Sequence, residues 1–324
     1  MKFGRIRRVV GAGLVGILAA GLIAGCSDSD DAGGDGDLEK STLNIGTLPI
    51  PYAAPVYLAQ QKGFFKEEGL TVKTEVFPGG AKALPKLIGG QIDMMVSNHV
   101  SAITSSANGT KMRILAEIDL GVEKELPVLV AKDSPIHTPA DLKGKKIALN
   151  TGRNLGELTV TSALATAGVD VKKDKVTFVD VPFPAMVAAL EKKSVDAIWV
   201  AEPFLTDAQK KLGARPVLDS LSGATKDLPL DGYVATDAFV KKNPKTTAAF
   251  KRAIARAQAL AAQDRNAVVN ILPSYAGLDK STAASIVIGP FVTSTSATRL
   301  QRVADLMLQY GFLKEKFDVN TILG

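Results

Sequence analysis

Lys146-Ile147-Ala148-Leu149, then Asn150-Thr151-Gly152-Arg153-Asn154, then Leu155 to Ala167: this stretch decides the fold class. The first four residues form a short apolar run that suits a buried strand. The next five are turn formers. The last thirteen contain no proline and read as a helix. The pattern continues downstream with a strand over Val176 to Val179, a helix from Ala185 to Glu191 and a strand over Ala197 to Val200. Alternation of this kind predicts α/β architecture with mostly parallel sheets flanked by helices.

Working outward, the same logic covers the N-terminal half. Thr42 to Leu48 alternates and reads as a strand. Pro49, Pro51 and Pro55 punctuate a loop, and Val56 to Lys62 reads as a helix stopped by Gly63. Strands are expected at Leu70 to Phe77, Ile92 to Val96, Met112 to Ile118 and Pro127 to Ala131. Helices are expected at Lys82 to Ile88 and from Ser97-Asn98, whose side chains can cap, to Ala107. Pro139 to Gly144 reads as a short helical turn. The tail turns helical: Asn243-Pro244 is a cap followed by a first-turn proline, with helix to about Gln263. Further helices are expected at Ala267 to Leu272, Ser281 to Ile286 and Ala297 to Tyr310.

The first 25 residues differ from all of this. Lys2, Arg5, Arg7 and Arg8 precede an uncharged apolar run, Val9 to Ala20. That order reads as a secretory signal peptide, and the run is shorter than the ~20 residues of a membrane span. Removing the leader's four positive charges from the formal +6 leaves a 299-residue chain at +2. So weak a balance gives no argument for a nucleic-acid partner, while 299 residues suffice for two domains. Residues 26–40 hold five aspartates and three glycines and read as a flexible acidic tether. Cys26 is the only cysteine, which excludes an internal disulfide and a cysteine-rich zinc site.

Leu22-Ile23-Ala24-Gly25-Cys26 resembles the lipobox of bacterial lipoproteins. The resemblance implies lipidation of Cys26 and a position on the outer face of the cytoplasmic membrane. Four further segments, in order, resemble the periplasmic substrate-binding proteins of ABC importers. They are Ala54 to Ala59 with Lys62 to Leu70, Gly89-Gly90-Gln91-Ile92-Asp93, Asp141 to Lys146, and Val195 to Phe204 with its Glu202-Pro203 pair. They are most similar to the subgroup serving nitrate, sulfonates, taurine and thiamine-pyrimidine precursors. The resemblance implies a two-lobed, type II periplasmic-binding-protein fold with the ligand cleft between the lobes. Lobe one would be 41–126 plus 236–324, and lobe two 127–235. It also implies a monomer that captures a small solute and docks on a membrane permease with its ATPase. No cofactor is implied.

Open α/β sheets bind ligands beyond the carboxyl ends of their strands, and that rule selects loops without help from the family. Tyr52 and Ala53 follow the first strand; Tyr52 can stack or donate its hydroxyl, or be an ordinary loop tyrosine. Ser97 and Asn98 stand at a strand end and helix start, suited to an anion or a ring heteroatom, or simply to capping. His99 and Asp119 are weaker candidates. Thr151, Arg153 and Asn154 flank Gly152, where Arg153 can add a bidentate contact or lie in solvent; relatives often place small hydroxyl residues here. Trp199 is the only tryptophan, and Glu202 can accept from an amino or cationic group or hold a backbone instead.

Catalysis finds little support. The only histidines are His99 and His137, with no HExxH, P-loop or Gly-x-Ser-x-Gly pattern and no metal-ligand spacing. The alternatives are an enzyme on the same fold, of the thiamine-pyrimidine-synthase or menaquinone-pathway kind, or a ligand-sensing lipoprotein. The exported leader opposes the enzymes.

Overall fold

The computed structural model describes residues 38–324. The leader, Cys26 and residues 27–37 of the expected tether lie outside the described residues. Ten strands form two five-stranded sheets. The first holds β1 (Thr42–Thr47), β2 (Thr71–Val76), β3 (Met94–Asn98), β4 (Met112–Glu117) and, late in the chain, β10 (Asp231–Thr236). The second holds β5 (Pro127–Val130), β6 (Lys146–Leu149), β7 (Thr177–Asp180), β8 (Ala197–Trp199) and β9 (Arg215–Asp219). The spatial orders are β2-β1-β3-β10-β4 and β7-β6-β8-β5-β9, so one architecture is used twice.

The sheets are more mixed than expected. The pairs β1–β2, β1–β3, β6–β7 and β6–β8 are parallel, and the pairs made by β10 and β5 are antiparallel. The reason is topological. β5 and β10 are the first strands after the chain passes from one sheet to the other, and each enters reversed. β10 pairs with β3 and β4 although residues 231–235 were expected in the second lobe. The two crossings run side by side: the Gly121 amide donates to Leu228 O at 2.9 Å and the Ile118 amide to Asp231 O at 2.8 Å. Gly121 is required there, since a Cβ would lie 2.9 Å from Leu221.

Helices cover both sheets. The helix Leu155–Thr166, between β6 and β7, buries Leu155, Leu158, Val160, Ala163 and Leu164. The long helix Pro244–Gln263 lays Phe250, Ile254 and Ala257 on the first sheet at helical spacing, with Phe250 edge-on to Tyr233 at 5.5 Å. Each large apolar side chain so buried contributes about 1.5–3 kcal/mol. Asn243 does not cap this helix with its side chain, which donates to Phe239 O. The cap comes from outside: the Glu39 carboxylate accepts from the Lys245 and Thr246 amides at 3.1 and 3.0 Å, and these bonds hold its pKa below the usual value against desolvation. Lys40 pairs with Asp93 at 2.6 Å, and Leu38 packs on the core. Residues 38–40 are therefore part of the fold and not of the tether.

Candidate functional site

The carboxyl ends of β1, β3, β6 and β8 converge on a cleft between the two sheets. It measures about 800 Å³, counting the part open to solvent. The local causes are visible in sequence. The prolines of Leu48-Pro49-Ile50-Pro51 stop β1 and bend it into the one-turn helix Pro51–Ala53. Asn98 ends β3 and caps the helix His99–Ala107, its Oδ1 accepting from the Ser101 amide at 2.9 Å. Asn154 does the same for the helix Leu155–Thr166, with Oδ1 accepting from the Leu155 amide at 2.7 Å.

Of the residues singled out from sequence, Tyr52, Ser97, Asn98, Trp199 and Glu202 line the cleft; Ala53, Thr151, Arg153 and Asn154 do not. The details change several roles. Tyr52 is buried against Phe291 at 5.6 Å, and its hydroxyl accepts from the Gly289 amide at 2.7 Å. Burial, with Glu125 and Asp119 nearby, pushes the Tyr52 pKa well up. The Trp199 indole lies on the backbone of Gly156, where a Cβ would meet it at 2.8 Å, and stacks with Phe183 at 5.8 Å. Its Nε1 donates to Ser220 Oγ at 3.0 Å, so Trp199 offers a face and not a donor. Both Glu202 oxygens accept from Thr206, from the amide at 3.1 Å and the hydroxyl at 2.9 Å. Burial pushes its pKa up all the same.

Arg153 corrects the expected anion contact. Its backbone is left-handed at φ 53°, and its side chain leaves the cleft. Nη2 donates to Gly311 O at 2.6 Å, and the guanidinium sits 4.4 Å over the Phe312 ring. Asn154 Nδ2 donates to Ser101 Oγ at 2.8 Å. Arg153 and Asn154 thus join the helix layers of the two sheets. Thr151 turns back on the Asn150 carbonyl, Ala53 is buried in the core, and His99 is buried without a partner for either ring nitrogen, its pKa pushed down by desolvation to about 3.

Two acidic lining residues escaped the sequence reading, Glu125 and Asp231. Both stand where the chain crosses between sheets. Desolvation pushes Glu125 up to about 8, opposed by the neighbouring Tyr52 hydroxyl and the Val122 amide, and pushes Asp231 up to about 7. Asp119 lies behind them, fully buried and also pushed well up by desolvation and by Asp231. The usable signal was position: a cleft between two lobes is floored by the segments that connect them. Among the described residues no group of three or more His, Cys, Asp or Glu side chains is placed to hold a metal ion.

Comparison with known proteins agrees with this geometry. A putative binding protein of Bacillus subtilis (strain 168), YtlA, is 27% identical over 64% of this chain, and the match spans 62% of that protein. A putative aliphatic sulfonates-binding protein of Escherichia coli (strain K12) is 29% identical over 75% of this chain and 76% of its own. The alkanesulfonate-binding protein SsuA of Xanthomonas axonopodis pv. citri, solved bound to MOPS, superposes with a TM-score of 0.74 at 20% identity, over 89% of this chain and 99% of its own. The fold is thus that of the periplasmic binding proteins. The model of the family described as NMT1/THI5 like matches residues 50–267, and the chain belongs to that family.

Proposed function

We propose that this chain is the extracytoplasmic solute-binding component of an ABC importer, taking up a small nitrogen- or sulfur-containing organic solute by closure of two lobes. The observation that carries it is the cleft, which lies between two sheets of like topology at the carboxyl ends of their strands. In this reading the lobes are 41–126 plus 231–324 and 127–230, with β10 counted with the sheet it pairs in. Lobes connected by two adjacent crossings can hinge about them. The contacts of Arg153 with Gly311 and Phe312 and of Asn154 with Ser101 would form on closure. The solute leaves chemically unchanged, handed to a membrane permease and its ATPase. The lipobox-like ending at Cys26 supports lipid anchorage on the outer face of the cytoplasmic membrane.

The test is a melting assay of the purified chain against sulfonates, nitrate, amines, amino acids and pyrimidines. A solute at 100 times its Kd adds about 2.7 kcal/mol, about 5 °C for a chain of this size. Silence across the panel, or mass-spectrometric recovery of an altered solute, contradicts the proposal. Cys26→Ser should abolish fatty-acid labelling and leave solute affinity unchanged.

A further inference from the structure

The cleft is electrostatically one-sided. Glu125, Glu202 and Asp231 line it, and among the described residues no lysine, arginine or histidine does. Glu125 is 4% exposed; its Oε2 accepts from the Val122 amide at 3.0 Å, while its Oε1 has no partner. Behind it, Asp119 Oδ1 accepts from the Asp231 amide at 3.1 Å and Oδ2 has no partner. A buried carboxyl oxygen without a donor is costly unless something arrives to satisfy it. Of the nearby cations, Arg299 is engaged by Glu117 at 2.9 Å and Arg153 by Gly311, while Lys210, bonded to Thr282 at 2.7 Å, acts from behind on Glu202 and lines no part of the cleft.

The seats an anion would use are partly taken. Asn98 caps the helix that starts at His99, and Asn154 caps the one that starts at Leu155. The Glu157 carboxylate takes the Arg153 amide at 2.6 Å. A sulfonate or nitrate would have to displace these acceptors and then sit beside carboxyls.

We infer that the solute is a small organic cation, a protonated amine, amidine or guanidine on a flat or apolar body, with its charged end on Glu125 and Asp231 and its body against Trp199 and Phe183. The inference rests on the solute-capture reading and narrows it. Burial of the body against the aromatic wall adds to the ion pair. Near neutral pH the empty cleft holds a proton on most Glu125 side chains and on about half of the Asp231 side chains, because burial raises both. The groups facing them are Tyr52, Tyr233, Asp219 and Asp119, all acids or phenols, and His99, which is uncharged. A bound cation lowers both carboxyl pKa values, so protons leave as it enters and affinity rises with pH between 6 and 9. An anion held by neutral carboxyls would do the opposite.

The experiment uses the purified chain with two probe sets: propylammonium, putrescine, agmatine, benzamidinium and 4-aminopyridinium against ethanesulfonate, benzenesulfonate, taurine and nitrate. At least one cation should raise the melting temperature, and no simple anion should. Titration calorimetry of the wild type in two buffers of different ionisation enthalpy should show proton release at pH 7. Glu125→Gln should weaken that cation at least tenfold. Because the proton count is read on the wild type, a variant that fails to fold does not rescue the idea. Stabilisation by anions alone overturns the cation assignment and leaves solute capture standing. Stabilisation by neither set overturns the cation assignment, and silence across the wider solute panel as well overturns solute capture with it.

Discussion

Replacing Glu125 by glutamine should make the protein's stability less sensitive to alkali. In the unfolded chain this carboxyl titrates near its ordinary value of 4.5; in the fold, desolvation lifts it to about 8. The folded form therefore holds the proton more tightly. Stability is unaffected below about pH 4.5, falls as pH rises toward 8, and levels off above it. About 3.5 pH units at ~1.4 kcal/mol each bound the penalty at about 5 kcal/mol. Asp231 and Asp119 sit close enough to share the proton, so about 2 kcal/mol is the expected share of Glu125 alone. Glutamine keeps the shape and the acceptor for the Val122 amide but cannot ionise. The assay is calorimetric melting of both proteins at pH 5 and pH 9. The two should melt within about 2 °C of each other at pH 5, and the variant about 4 °C higher at pH 9. Parallel curves at both pH values would refute the claim that this carboxyl is buried against its charge.

Arg153→Ala removes one exposed charge-assisted hydrogen bond and a ring contact between the two helix layers, worth about 1 kcal/mol together. Affinity for the best-binding cation should fall about fivefold, with a more open solution scattering profile; unchanged affinity and scattering would show that the contact plays no part in closure. Gly156→Val drives a side chain into Trp199, where the Cβ alone would stand at 2.8 Å. It should cost about 1–3 kcal/mol of stability and shift tryptophan emission; an unchanged spectrum would contradict the packing. Glu39→Ala uncovers the start of the helix Pro244–Gln263 and should cost about 1 kcal/mol in denaturant melts. No loss would mean that residues 38–40 are not docked.

Local pattern made part of this legible. The strand Lys146–Leu149 and the helix that starts at Leu155 fall where the apolar run and the Thr151–Asn154 turn put them, because both signals are carried within about twenty residues. β9 and β10 carry no such signal. β9 begins Arg215-Pro216, and β10 begins Asp231-Gly232; each is a strand because a neighbour from another part of the chain supplies its ladder. The same limit hid half of the site. Trp199 and Glu202 stand at a strand end and could be read from position. Arg153 looked like an anion clamp, and only a fold can bring Phe312 beneath it. Glu125 and Asp231 carry no local signal, and only the crossings between the sheets bring both to the cleft.

The most direct test of solute capture is a crystal structure of the chain grown with the best-binding member of the probe panel. The account predicts density in the cleft, with a cationic nitrogen within hydrogen-bonding distance of Glu125 Oε1 and the body of the molecule against Trp199. Density only in the outer groove beside Arg153 and Phe312 would contradict it; a sulfonate seated at the Asn98 and Asn154 helix starts would contradict the cation assignment and leave solute capture standing.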